Sequence, residues 1–335
     1  MGCPQTLRRA GRRTNAALLL VCLGAFLTGW LAFAAGTPVP ATVATVAHGL
    51  LALGVVALVP WKSAIVGRAA SVPLAGWVLI VLILLCLGAG FVQLFRGFGV
   101  LAGVSPIQVH VGAALLAVPL FSWHVLHRRP QRLRRADLSR RALLRTGAFA
   151  LGVAAAYPLT LLAAGGTRGD KGRVATGSGR LDPDRIPATT WLLDRVPHLD
   201  GDAHRVDVVG RSLGPAELEQ MSVPVRARLD CTSGWYADAT WTAARLSDLI
   251  PADRLVGVAS LEVTSVTGYT RRFPVAEASA LWLATGCQGR RLSAGTGAPV
   301  RLVAPHRRGF WWVKWVASVR ASPSPAWAQP PFPLQ

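Results

Sequence analysis

Cys231 closes an alternating run, VPVRARLD at 223–230, and is followed at once by the polar turn Thr232, Ser233, Gly234. A thiolate is a soft donor suited to a thiophilic metal, and it forms most readily in electropositive surroundings. Period-two alternation puts Arg226 and Arg228 on one strand face and Cys231 on the other, so any positive charge near the sulfur must come from elsewhere in the fold. A lone cysteine at a strand end is equally a small buried hydrophobe, and the residues alone leave both readings open. Further along, PVRLVAPHRRGFWWVKWVASV at 299–319 offers Arg307, Arg308 and Lys314 as cationic donors. Gly309 in the same run forms a turn whose backbone N–H groups are free to approach an anion. Arginines on a turn are otherwise simply solvated. Trp311, Trp312 and Trp315 read as sheet core, and a lysine between them reaches for water unless it has an anion to bind.

The elements that must position these groups divide the chain in two. Residues 1–165 hold 15 Lys or Arg against one acid, Asp137, whereas residues 166–335 hold 21 against 15, which together account for the net charge of +20. The excess of positive charge sits between long apolar runs at 15–36, 42–60, 73–95, 107–126 and 146–164. That placement indicates membrane topology rather than nucleic-acid binding. Each run is long enough to span about 30 Å of hydrocarbon at roughly 1.5 Å per residue. Arg8, Arg9, Arg12 and Arg13 precede the first run, Lys62 and Arg68 lie between the second and third, and eight arginines from Arg128 to Arg145 follow the fourth. The opposite side carries only Arg96. The positive-inside rule then places the N-terminus in the cytoplasm and everything after the fifth run outside. The stretch SRRALLR at 139–145 resembles a twin-arginine export signal, with Arg140 and Arg141 as the pair, Leu143 and Leu144 at its apolar positions and Arg145 in place of the usual lysine. An ordinary basic flank would look similar. Export by that route implies the twin-arginine machinery as a partner and a domain that crosses folded.

Residues 166–187 are rich in Gly, charge and turn formers and read as a linker. From residue 188 to 335 the texture is of short alternating runs, 204–210, 223–230, 261–268 and 299–305, with helical stretches at 215–221, 242–250 and 275–280. The expected architecture is an all-α transmembrane bundle of five helices followed by an α+β domain with a mixed sheet. The five cysteines, Cys3, Cys22, Cys86, Cys231 and Cys287, form no CxxC pair, which removes zinc-finger and redox-dithiol readings.

Two stretches together resemble the sulfite oxidase family of molybdopterin enzymes. One is RARLDCTSGWYADATWTAARLSDL at 226–249, with Trp241 ten residues after Cys231; the other is the run 299–319. The resemblance covers roughly residues 175–322. It implies a sulfite oxidase-type molybdopterin-binding domain in which Cys231 ligates molybdenum, and Trp241 and a following helix pack beneath the cofactor. It further implies that Arg307, Arg308, Gly309 and Lys314 cradle the anionic pterin, with Thr232 and Ser233 as further contacts. Tyr236 and Asp238 become candidate catalytic residues of the loop bordering the metal. The expected activity is oxygen-atom transfer on a small oxidised-sulfur or related substrate. Two positions depart from the family: Thr296, Gly297, Ala298 and Pro299 stand where members carry His-Gly-x-Pro, and His306 stands where glycine is usual. These departures weaken inference about substrate more than inference about metal.

The helical half raises its own question, because His48 and His110 lie inside apolar runs, where a polar side chain is costly and often functional. From the expected topology His48 lies about 10 Å and His110 about 5 Å below the outer surface at roughly 1.5 Å per residue. Two imidazoles at similar depth suit the axial positions of one b-type haem, which would pass single electrons between a quinone, or another membrane or extracytoplasmic carrier, and the outer domain. His124 shares a face with His110 but lies near the inner surface. Interfacial histidines in a plain anchor fit the same pattern, and the whole chain is also readable as a cofactor-free binding or structural membrane protein that keeps the fold.

Overall fold

The computed structural model describes residues 11–69, 71–127, 139–168, 172–190 and 194–331. Cys3, Arg8, Arg9, Asp137 and the arginines from Arg128 to Arg135 lie outside the described residues. The chain divides into two compact units, Met1–Phe33 with Val39–Gly177, and Ala34–Pro38 with Ser178–Gln335.

Among its described residues the first unit holds five helices long and apolar enough to cross a membrane: α1 (Arg12–Ala34), α2 (Pro38–Val66), α3 (Leu74–Arg96), α4 (Pro106–His127) and α5 (Arg140–Arg168). They extend past the apolar runs because polar end residues continue the backbone ladder. Helix α2 passes straight through Pro60, where the second run ended, and α4 and α5 likewise contain Pro119 and Pro158. An internal proline forfeits one backbone hydrogen bond, a loss that neighbouring helices and local adjustments make good in apolar helices. Side-chain size is distributed inside out. Ala41, Ala44, Ala89, Ala113 and Ala164 are buried, while Leu20, Leu84, Leu116, Leu151 and Leu162 face outward. Small residues between helices let backbones approach closely, the packing mode used where the surroundings are themselves apolar.

The second unit contains two mixed sheets. In the first, the long strand β5 (Trp235–Arg245) is the spine, pairing antiparallel with β4 (Val223–Cys231) along one edge. Its other edge takes β1 (Gly179–Arg180) in parallel and β8 (Trp282–Cys287) antiparallel; β8 also pairs with β9 (Arg290–Arg291) and β10 (Arg301–Val303). The second sheet has the order β3 (Arg211–Leu213), β2 (Val206–Val208), β11 (Val316–Ser322), β6 (Ser260–Ser265), β7 (Thr270–Pro274), with only β2 and β11 parallel. Two helical pieces accompany them, α6 (Pro215–Gln220) and α7 (Leu246–Leu249).

Two expectations change. The helix expected at 242–250 is a single turn, since residues through Arg245 are held in β5 by pairing with β8; tertiary strand pairing outweighs the helical spacing of Leu246, Leu249 and Ile250. The tail of the expected linker is structural: Gly179 and Arg180 pair with Trp235 and Tyr236, and buried Ser178 donates to Asp230 Oδ1 at 2.6 Å. Gly and polar residues there serve an edge strand rather than a free tether.

Trp241 is fully buried at the centre of β5, its ring 5.5 Å from that of Trp312 with the planes at 62°, an edge-to-face arrangement. Trp241→Ala is expected to cost about 3–5 kcal/mol, read as a lowered denaturation midpoint of the C-terminal unit in the detergent-solubilised chain.

Candidate cofactor site

A cleft enclosing about 90 Å³ opens in the second unit, with Cys231, Thr232, Ser233, Arg301, Gly309 and Lys314 among its lining residues. Cys231 reaches it because β4 alternates: Ala227, Leu229 and Cys231 turn inward, while Arg226 and Arg228 are exposed. The strand stops there because Gly234, at φ 87°, closes a tight turn by donating its N–H to the Cys231 carbonyl at 3.0 Å. Thr189 Oγ1 lies 3.9 Å from the sulfur.

The positive charge beside Cys231 comes from two other strands' worth of sequence. Arg301, on β10, is fully buried, lies 4.9 Å over the ring of Trp241 and donates from Nη1 to the Thr296 carbonyl at 2.9 Å; its Nε has no partner. Lys314 donates to the carbonyls of Thr189 at 2.8 Å and Gly295 at 2.6 Å. No acidic side chain pairs with either cation among the described residues. Burial, with the neighbouring guanidinium, pushes Lys314 down to about 7, and burial pushes Arg301 down to about 10. Trp315, immediately after Lys314, takes a left-handed φ of 52°, a conformation costly for an aromatic residue, where the chain leaves the cleft to enter β11.

The expected cradle is only partly the observed one. Lys314, Thr232, Ser233 and Gly309 line the cleft, but Arg307 and Arg308 do not. Arg307 is neutralised by Glu277, donating from Nε at 3.1 Å, and stacks over Trp311; Arg308 is buried with its Nε 3.6 Å from Asp230 Oδ2. Gly309 also has a packing task. A Cβ there would lie 2.9 Å from the Cys231 Cα and 3.1 Å from the Asp230 carbonyl, so glycine lets this turn rest directly on the cysteine backbone. Tyr236 and Asp238 are not brought to the cleft either. Asp238 accepts two hydrogen bonds from Arg228, at 2.7 and 3.0 Å, which hold its carboxyl below the usual range, and the same guanidinium lies over the Tyr236 ring. Period two explains both: on β5 they face the arginine side of β4. His306 is exposed and outside the lining, so it does not replace the family histidine. Trp312 and Trp315 are core, as expected, and also form a wall of the cleft. Trp241 packs beneath Arg301 rather than lining the space.

The sequence reading missed Arg301, Thr189, Asp194 and Tyr269. Arg301 had a signal: an arginine flanked by Val300 and Leu302 in an apolar strand must be buried and requires a partner. Asp194 accepts from Thr267 Oγ1 at 3.2 Å, with its carboxyl raised by burial; the Tyr269 hydroxyl donates to the Phe310 carbonyl, with its ionisation pushed up by burial. Nothing in the local pattern of those three marks them.

Residues 194–329 match the family model of the oxidoreductase molybdopterin binding domain. The mixed-sheet unit therefore matches a molybdopterin-binding oxidoreductase domain, and this supports a molybdenum cofactor. No curated protein matches the chain. Among solved structures, it is similar to the sulfane dehydrogenase SoxCD from Paracoccus pantotrophus, at 19% identity and a TM-score of 0.35, over 38% of this chain and 40% of that one. The chain thus spans less than half the length of that protein.

The donor set fits such a group. A thiol, a buried guanidinium with an orphaned Nε and a partly buried ammonium, neither cation ion-paired to the lining carboxylate Asp194, suit a thiolate-ligated anionic cofactor. In the cofactor-free protein Lys314 titrates near 7 when folded and at its ordinary 10.5 when unfolded. Between these values the unfolded chain binds the extra proton, so stability rises with pH across that window and is flat in this respect below it. Chemical denaturation of cofactor-free protein should show the midpoint climbing from pH 7 to pH 10, and Lys314→Met should remove that slope.

Proposed function

We propose that the protein is a membrane-anchored, molybdopterin-dependent oxidoreductase that transfers an oxygen atom to or from a small oxidised-sulfur or related substrate and exchanges electrons through its membrane helices. The observation that carries this reading is Cys231 in a cleft with two cations, Arg301 and Lys314, that have no acidic partner. Cys231 would ligate the metal, and Arg301 and Lys314 would balance the charge of the pterin. When bound, the molybdenum centre supplies oxygen-atom transfer coupled to an electron pair. An anion next to Lys314 holds its proton at neutral pH, which keeps the ammonium as a donor. The tryptophans at 235, 312 and 315 wall the cleft and exclude water from the ligand sulfur. Asp194 and Tyr269, also in the lining, are the polar groups placed to orient a substrate.

Anchoring is supported by helices whose outward faces are apolar over all five segments. The charge distribution favours an extracytoplasmic catalytic domain, reached through the twin-arginine machinery from the SRRALLR stretch. Electrons would be exchanged with a quinone or a membrane or extracytoplasmic carrier.

Protein matured in a host that makes the pterin should contain molybdenum, and Cys231→Ser should lower that content at least about tenfold, measured by elemental analysis. Unchanged molybdenum in the serine variant, or none in the parent, would favour a cofactor-free binding module. Protease added outside intact cells should cut near Arg173; full protection would reverse the orientation.

A further inference from the structure

The helical unit contains a repeated device that the molybdenum reading does not use. His48 of α2 directs Nδ1 to the carbonyl of Ala25 on α1 at 2.8 Å. His110 of α4 directs Nδ1 to the carbonyl of Cys86 on α3 at 2.8 Å. One turn beyond each accepting carbonyl stands a glycine. A Cβ at Gly29 would lie 3.0 Å from Nδ1 of His48, and a Cβ at Gly90 would lie 3.0 Å from Nδ1 of His110, so each ring lies flush on its neighbouring helix. Carbonyl at i and glycine at i+4 share one helix face, and the two hairpins therefore build the same seat twice. The two rings are neighbours, centroids 5.7 Å apart with planes at 88°.

A carbonyl can only accept, so Nδ1 of each imidazole carries the proton and each Nε2 keeps its lone pair. That is the tautomer of a metal-binding histidine oriented from behind by a backbone acceptor. Two imidazoles bound on opposite sides of one metal, with bonds of about 2 Å, have centroids about 6 Å apart, close to the observed separation. No third His, Cys, Asp or Glu completes a metal-binding group among the described residues. A bare zinc or copper ion would lack ligands here, whereas a porphyrin brings its own equatorial nitrogens, requires two axial donors, and has an apolar periphery suited to these helices.

We propose that His48 and His110 are the axial ligands of a single haem, bound through Nε2 with nearly perpendicular ring planes. The site is independent of Cys231 and does not rest on the molybdenum reading.

The full chain, purified in detergent after expression with adequate haem, is expected to show a b-type reduced-minus-oxidised spectrum. The oxidised form should give one highly anisotropic low-spin electron paramagnetic resonance line at low field rather than the three-line rhombic pattern of parallel rings. His48→Ala and His110→Ala should each abolish the low-spin signal, with helicity by circular dichroism confirming that the variants fold. Gly90→Ala should crowd the His110 ring and move the low-field line, whereas Gly88→Ala, where an added Cβ meets nothing within 4 Å, should leave it in place. A folded parent without b-type bands, a low-spin spectrum that survives both histidine substitutions, or a rhombic three-line signal would overturn the proposal.

Discussion

Positive charge buried without a negative partner is the constraint around which the second unit is arranged. Moving a guanidinium and an ammonium into one low-dielectric cleft costs several kcal/mol per ion unless something offsets it. The fold offsets part of this with what it has: π faces of Trp241 and Trp312 under and beside Arg301, and the carbonyls of Thr296, Thr189 and Gly295 as acceptors. The lowered affinity of Lys314 for its proton shows that the offset is incomplete. A thiolate ligand and an anionic cofactor would complete it, which is why the same residues that tax the fold define the site.

Buried arginine alone would not support that conclusion. Arg271 is as deeply buried as Arg301 and likewise makes no ion pair among the described residues, yet it is a structural group: its Nη1 donates to the Pro330 carbonyl at 2.9 Å, it lies over the rings of Phe310 and Trp311, and it is outside the cleft. Arg307 and Arg308 are structural in a second way, neutralised by Glu277 and Asp230 so that the 309–311 turn is locked onto the cysteine strand. Among the described residues, Arg301 and Lys314 are the cations that combine burial, the absence of an ion pair and a shared cavity with a thiol.

This distinction marks what a sequence can and cannot disclose. The inward direction of Cys231 followed from alternation, a property of three or four adjacent residues. The five apolar helices were equally legible, because hydropathy is summed over some twenty residues in each. Arg307 and Arg308 lie outside the cleft because their charge partners are remote in sequence: Glu277 lies 30 residues before Arg307 and Asp230 is 78 positions before Arg308. Thr189 and Asp194 were illegible for the same reason in reverse. They come from a stretch without periodicity, and only the folded unit brings these two residues into the cleft lining with the thiol.

The two units also solve opposite solvent problems with one chain. In the helical unit many large apolar groups point outward and alanine and glycine lie between helices, which lets the backbones approach closely. Such packing leaves few places for a polar side chain, and each must be satisfied locally by a backbone acceptor, as His48 and His110 are. In the mixed-sheet unit the large residues are inside and the polar groups have partners far apart in sequence, as Arg271 with Pro330 and Lys314 with Thr189. Local satisfaction makes the helical half readable one hairpin at a time. Non-local satisfaction makes the catalytic half readable only as a folded whole, and it is there that the charge imbalance, rather than any single motif, points to the cofactor.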